Sequence, residues 1–315
     1  MATMKTLNGY GFNATELNGK TSDNYLKKTD TASDSKKLGG KAPEYYIHPR
    51  NLLDNSDFTN PVNQRGLSSY TNGGYSIDRW RTVMASGTTT YVAGGILWLG
   101  KKYGQFLQTL PKHYEGKALT FAIYLSDVSS ENIKALINDG RSQSVRSVHQ
   151  GLNIVTYTVR SDATTLFVGL QNNSQSSDQS CTPVWAALYE GTYTADTLPP
   201  YVSKGYAAEL AECQRYYQTI PALTHIPGVT NSSALFTASY KIPTMRIAPT
   251  VSLASGKKVN IYSGGYSVTT ENYTMENAAK QNQITLNVTL DTGSFIAYKP
   301  GVLMFPVDIA LIADL

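Results

Sequence analysis

The sequence predicts a mostly β protein: a repeat-bearing segment, a β-sandwich, one short helix and a β-rich head. Three observations carry this expectation. The pattern Leu-x-Gly-Lys-x-x-x-x-Tyr occurs at Leu17–Tyr25 and again 21 residues later at Leu38–Tyr46, in a background of Ser, Thr, Asn, Asp and Lys. Beyond Asn51 the apolar residues come in short runs bounded by Gly, Asn, Ser and Pro, the rhythm of strands and turns. Only the segment after Pro200 spaces its apolar residues by fours and threes, as a helix requires. The expected divisions are 1–49 for the repeat segment, 50–202 for the sandwich, 203–219 for a linker helix and 220–315 for the head.

Each repeat offers one aliphatic and one or two aromatic side chains, too little to close a core alone, so burial by neighbouring chains is expected. The alternative is a solvated tether in which the repeat is incidental. Pro43, Pro49 and the Gly pairs exclude a continuous helix here. In the sandwich, strands are expected at Arg81–Met84, Thr89–Val92, Ile96–Leu99, Ala118–Leu125, Leu152–Val159, Leu166–Leu170 and Val184–Leu188. Val155 to Val159 alternates apolar and polar, as a strand with one wet face should, whereas Glu131–Ile137 suits one or two helical turns. Leu198-Pro199-Pro200-Tyr201 reads as an extended hinge, followed by the helical stripe Tyr206, Leu210, Cys213 and Tyr217. The head then supplies Met245–Leu253, Val259–Tyr262, Gln283–Leu290, Phe295–Tyr298 and Val302–Leu315 as strands. The aliphatics of Gln283–Leu290 should all face one side, and the apolar 307–315 stretch needs a pairing partner or burial in a trimer, since an exposed edge would aggregate.

With 41% hydrophobic and 16% charged residues the chain is globular, and Tyr dominates its aromatics at 22 against 8 Phe and 3 Trp. Tyrosine joins a flat apolar face to a polar tip, which suits binding surfaces and β-structure alike. The net charge of +4 is scattered, with no basic block interleaved with aromatics, so nucleic acid is not an expected partner. Residues 1–6 lead into Asn and Gly instead of an apolar signal core, and no apolar run is long enough to span a bilayer, so cytoplasmic synthesis without membrane insertion is expected. Cys181 and Cys213 read as small buried hydrophobes instead of a disulfide.

Asn51-Leu52-Leu53-Asp54-Asn55-Ser56-Asp57-Phe58, then Gln64-Arg65-Gly66, then Tyr75-Ser76-Ile77-Asp78-Arg79-Trp80, resembles the opening of the sandwich domain of bacteriophage and prophage tail fibres. Cys213-Gln214-Arg215-Tyr216-Tyr217 is similar to the linker helix that precedes the C-terminal head of such fibres, and the N-terminal repeats resemble their shaft repeats. Asn51-Leu52-Leu53 with Leu188-Tyr189-Glu190-Gly191 also resembles the first and last strands of jelly-roll carbohydrate-binding modules. The resemblance implies a homotrimeric receptor-binding protein in a virion or phage-derived particle. Its N-terminus would join other tail or baseplate proteins, and it would adhere multivalently to a bacterial cell-surface glycan or surface protein. Two other readings remain, a polysaccharide-degrading enzyme of the host envelope and a purely structural connector.

The residues favour a non-enzyme. His48, His113, His149 and His225 form no His-Glu-x-x-His pair, and there is no Cys-x-x-Cys, no Gly-x-Ser-x-Gly elbow and no phosphate loop. A glycosidase needs only two carboxylates, for which Asp54, Asp57, Asp78, Asp127, Asp139 and Glu190 are available. No cofactor is expected, although Asn51, Asp54 and Asp57 offer hard oxygens to a structural Ca²⁺. In the preferred alternative Asp54 and Asn55 make a turn and Asp57 caps backbone amides. Asp78 and Arg79 read as a surface ion pair and Trp80 as a core anchor. For a sugar ligand, Tyr262 and Tyr266 flank a Gly-centred turn and Glu271, Asn272 and Tyr273 follow, so these five are the candidate ligand-binding residues. Trp98, Tyr91 and Tyr103 form an alternative group in the sandwich.

Overall fold

The computed structural model describes residues 16–17, 20–21 and 49–313, except 72, 84–86, 93, 112–113, 254–256 and 293–294. It divides into a unit of 1–49 with 196–200 and a unit of 50–195 with 201–315. In the first unit β1 (Glu16–Leu17) and β2 (Lys20–Thr21) pair antiparallel within the first repeat, and the remainder of both repeats lies outside the described residues.

The second unit contains two hydrophobic cores. Around the first lie twelve strands: β3 (Ser69–Thr71), β4 (Gly74–Tyr75), β5 (Trp80–Val83), β6 (Gly87–Val92), β7 (Gly95–Gly100), β8 (Gln105–Thr109), β9 (Ala118–Val128), β10 (Ile133–Asn138), β11 (Gln143–Ser147), β12 (Gly151–Thr158), β13 (Phe167–Asn172) and β14 (Gln179–Glu190). They form two six-stranded antiparallel sheets, ordered β11-β10-β13-β8-β5-β4 and β12-β9-β14-β7-β6-β3. From β7 to β14 the chain repeatedly crosses between the sheets, as a jelly-roll-like sandwich does. Asn51–Phe58 lies along β14: Leu52 N–H donates to the Leu188 carbonyl at 2.9 Å and Phe58 N–H to that of Val184 at 2.9 Å. The segment expected as the first strand therefore lies beside the last one, but it forms only the isolated bridge Asp57–Trp185 instead of a strand of its own. Trp80 is a core anchor as read, 4.9 Å from the Phe106 ring and 5.0 Å from that of Phe58.

Glu131–Ile137 contains no helix. It enters β10, whose Ile133, Ala135 and Ile137 face the core while both edges pair, with β11 and β13. Lys, Ala and Leu have good helix propensity, yet two flanking strands outweigh it. The helix α1 spans Tyr206–Gln214, and its buried positions are Glu209 and Cys213. The expected stripe is thus displaced: Tyr206 is exposed and Tyr217 has left the helix to begin a strand.

The second core is enclosed by β15 (Tyr217–Ile220), β16 (Ile226–Thr230), β17 (Leu235–Lys241), β18 (Thr250–Ser252), β19 (Val259–Ser263), β20 (Tyr266–Thr270), β21 (Tyr273–Lys280), β22 (Gln283–Leu290), β23 (Pro300–Met304) and β24 (Ile309–Ile312). A three-stranded sheet β15-β24-β18 faces a seven-stranded one, β20-β19-β23-β16-β17-β22-β21. The outer strands β20 and β21 are joined by Glu271 and Asn272 alone. Six interstrand spacings would set the edges of a flat sheet about 29 Å apart, whereas the three Cα steps from Thr270 to Tyr273 reach at most about 11 Å. The sheet therefore curves enough to bring the Thr270 end of β20 within reach of the Tyr273 end of β21, with the core on its concave side. Gly228 and Gly301 sit opposite each other in register, and a Cβ on either would strike the Phe236 ring and a neighbouring carbonyl.

On β22, Ile284, Leu286, Val288 and Leu290 are all buried, as the alternation predicts. Phe295–Tyr298 is a loop instead of a strand, and Val302–Leu315 contains two strands separated by a turn. The apolar terminus is paired on both sides within its own chain, with Ile309 and Leu311 in the head core. Its hydrophobicity is explained without a second subunit. Both cysteines are free and buried, and burial raises their thiol pKa values.

Candidate functional site

The motifs singled out at the start of the sandwich and at the end of the helix converge on one place, where sandwich, helix and head meet. Asn55 adopts a positive φ of 52°, its Nδ2 donates to the carbonyls of Val62 and Asp78, and its N–H donates to Glu209 Oε2 at 2.6 Å. Burial pushes the Glu209 carboxyl up, while Lys204 and the Asn55 amide oppose that shift. Arg79, also at positive φ, donates from Nε to Asp54 Oδ2 at 3.2 Å and lays its guanidinium 3.4 Å from the centre of the Tyr216 ring. Arg65 donates to Asp78 Oδ1 at 2.9 Å and lies over Tyr217 at 3.9 Å. Asp78 and Arg79 are therefore not a surface pair. Both are buried, and each meets a partner distant in sequence. This junction fastens the two β-domains together through charge-assisted bonds and cation–π contacts.

The same geometry accounts for the candidate Ca²⁺ ligands. Asn51 spends its amide on Ser56 Oγ, the Ala186 carbonyl and the N–H groups of Leu53 and Leu188. Asp54 faces Arg79 and, at 3.5 Å, Lys204 Nζ. Asp57 caps the N–H and hydroxyl of Thr59. The three side chains serve a strand pair, a buried ion pair and a turn, and among the described residues no cluster of three or more His, Cys, Asp or Glu could hold a metal. In the alternative sandwich group, Trp98 is wholly buried and Tyr91 packs on the core, whereas Tyr103 sits apart on an exposed turn beside Lys102. These three do not form one surface.

The head's ligand candidates separate into two places. Gly264 and Gly265, with φ of 58° and 86°, close the β19–β20 hairpin in the left-handed geometry of a type I′ turn. Tyr262 pairs with Ser267 and Tyr266 with Ser263, so the two tyrosines project from opposite faces of the hairpin tip. Both are about half exposed and border a depression of ≈ 350 Å³ that also touches Pro300. Glu271, Asn272 and Tyr273 lie at the far end of β20, about 16 Å away by strand rise. There Glu271 faces Lys258 at 3.7 Å, and Asn272 N–H donates to Thr270 Oγ1. Tyr273 packs on the core and donates its hydroxyl to the Lys257 carbonyl at 2.9 Å. An extended strand cannot bring both ends into one loop.

What joins the tip is a segment read as a strand. The 295–300 loop is anchored by buried Phe295, by Thr230, which accepts from Lys299 N–H and donates to the Ile296 carbonyl, and by Ser263, whose hydroxyl contacts the Lys299 and Pro300 carbonyls. Tyr298 is 80% exposed at φ 59°, and Ile296 and Val229 are exposed close by. A bulky residue held in the left-handed region on a fixed loop is strained, and such strain concentrates where a side chain is presented for use. The tip therefore offers Tyr262, Tyr266 and Ser267 around the depression and Tyr298 on the anchored loop beside it, and among the described residues no carboxylate lines the depression. The only signals for Tyr298 in the sequence were its type and its proximity to Pro300.

No known family pattern matches this sequence, and no curated protein sequence does. Among solved structures, the N-terminal CBM22-1-CBM22-2 tandem domain from Paenibacillus barcinonensis Xyn10C is similar over 85% of this chain and 98% of that one, at 8% identity and a TM-score of 0.27. A TM-score this low does not define a shared fold.

Proposed function

We propose that this chain is a non-catalytic, homotrimeric receptor-binding protein of a phage tail fibre or phage-derived particle, and that it attaches to a bacterial cell-surface glycan through the tip of its head. The tail-fibre reading rests on the motifs at Asn51–Phe58, Gln64–Gly66, Tyr75–Trp80 and Cys213–Tyr217. The attachment reading rests on one observation above the others: Tyr298 is almost fully exposed, in a strained conformation, on a loop pinned by buried Thr230 and Ser263. Aromatic faces stack on the apolar side of a pyranose, and phenols and serines serve its hydroxyls. Three such sites in a trimer would turn weak contacts into durable attachment by effective concentration.

The test is adsorption of the purified full chain to host cells and to a glycan array, with Tyr298→Ala and Tyr266→Ala as variants. Each substitution should weaken single-site binding about tenfold, corresponding to a lost stacking contact of ~1.4 kcal/mol. Unchanged adsorption by both variants, with wild-type melting, would remove the tip from consideration. A folded monomer at micromolar concentration by light scattering would overturn the trimer.

A further inference from the structure

We propose a second ligand site on the sandwich, a groove beside β12 that takes a carboxylate-bearing oligosaccharide. The groove encloses ≈ 540 Å³ between β12, the end of β11 and the segment that follows β14. Asn153 and Val155 turn inward, so Leu152, Ile154 and Thr156 line the groove from the opposite face of the strand. Tyr193 forms a wall, held by its N–H to Thr120 Oγ1 at 3.0 Å and by edge contact with Tyr189. Arg146 and His149 supply the polar end, and among the described residues no carboxylate lines the groove.

The turn that carries His149 is ordered by its own hydrogen bonds. Asn153 accepts from His149 N–H at 2.9 Å and donates to the His149 and Gly151 carbonyls at 2.8 and 3.0 Å, which fixes the turn between β11 and β12. His149 Nδ1 lies 2.7 Å from the Gln150 carbonyl oxygen. A carbonyl only accepts, so Nδ1 donates, and Nε2 is free to meet a sugar hydroxyl, which can accept or donate. Arg146 presents the planar, always charged fork that matches a carboxylate. Register continues the apolar floor outward, since Leu152 pairs with Tyr124, and Tyr124 in turn pairs with Trp185, whose ring lies 6.0 Å away. A positively charged end, an aliphatic floor, a tyrosine wall and an adjoining row of aromatics together match a sugar chain whose units carry acid groups. This site is independent of the head tip and stands or falls separately from it.

The experiment is titration calorimetry of the full chain with oligogalacturonate and with a neutral gluco-oligosaccharide of the same length. Wild type should bind the acidic chain about tenfold more tightly, the contribution of one charge-assisted contact, and Arg146→Gln should erase that preference. Arg146 is exposed, so this variant should melt as wild type does. Tyr298→Ala should leave the preference intact. Equal affinity for the two probes, absence of binding to both, or an unchanged preference in Arg146→Gln would each overturn the proposal.

Discussion

Replacing Arg65 by Ala should destabilise the sandwich by about 3 kcal/mol, and the number follows from what its guanidinium touches. Asp78 is 1% exposed in its side chain and Arg65 15%, so the 2.9 Å contact between them is largely removed from water. Removing one partner of a buried pair costs about 3–5 kcal/mol, chiefly because the other charge is stranded. Loss of the contacts over Tyr217 at 3.9 Å and Tyr75 at 5.0 Å adds ~1 kcal/mol. Against this, Asp78 keeps the Gln64 N–H at 2.7 Å, and water reaches the outer edge of Arg65, which brings the sum back to about 3 kcal/mol. The assay is urea unfolding followed by tryptophan fluorescence, because Trp80, Trp98 and Trp185 all lie in the sandwich and none in the head. Arg65→Met combined with Asp78→Asn removes both charges together and should recover much of the loss. A change below about 1 kcal/mol in Arg65→Ala, or a double variant no more stable than the single, would refute the argument that a desolvated carboxylate governs this junction.

Asp139 gives the sandwich an acid-sensitive element. Burial disfavours its charge, yet hydrogen bonds from the Tyr157 hydroxyl and the N–H groups of Ser142, Arg141 and Arg160 prevail and hold the carboxyl at about 2. A folded pKa below the unfolded one adds stability that is complete above the ordinary carboxylate range and is lost as pH falls from about 4 toward 2. Asp139→Asn should flatten that acid limb, removing about 2 kcal/mol of pH dependence in fluorescence-monitored unfolding, and an unaltered limb would contradict the assignment. Leu311→Asp should unfold the head, because this fully buried side chain lies in the head's own core. Circular dichroism showing a native head in that variant would contradict the intrachain account of the C-terminal strand.

The sequence by itself determined whatever depends on local pattern. Alternation over Gln283–Leu290 fixes which side chains face inward, because a strand turns successive residues to opposite faces. Two adjacent glycines set the Tyr262–Tyr266 hairpin, because positive φ is nearly free for glycine alone. The mostly β class, the core position of Trp80 and the helix after Pro200 were legible for the same reason. Only the tertiary structure decided which distant groups meet. Asp78 and Arg79 are adjacent in sequence, yet Asp78 pairs with Arg65 and Arg79 with Asp54, because partners follow from strand packing and buried charges must find compensation wherever the fold provides it. Glu131–Ile137 has helix-compatible residues and becomes a strand because β11 and β13 lie on either side of it. Tyr266 and Tyr273 are near in sequence and separated by the length of β20, while Tyr298, far along the chain, joins the hairpin tip through Ser263, Lys299 and Pro300. A surface site is assembled from loops whose neighbours are set by sheet order, and sheet order is a property of the whole chain's packing that no local window contains.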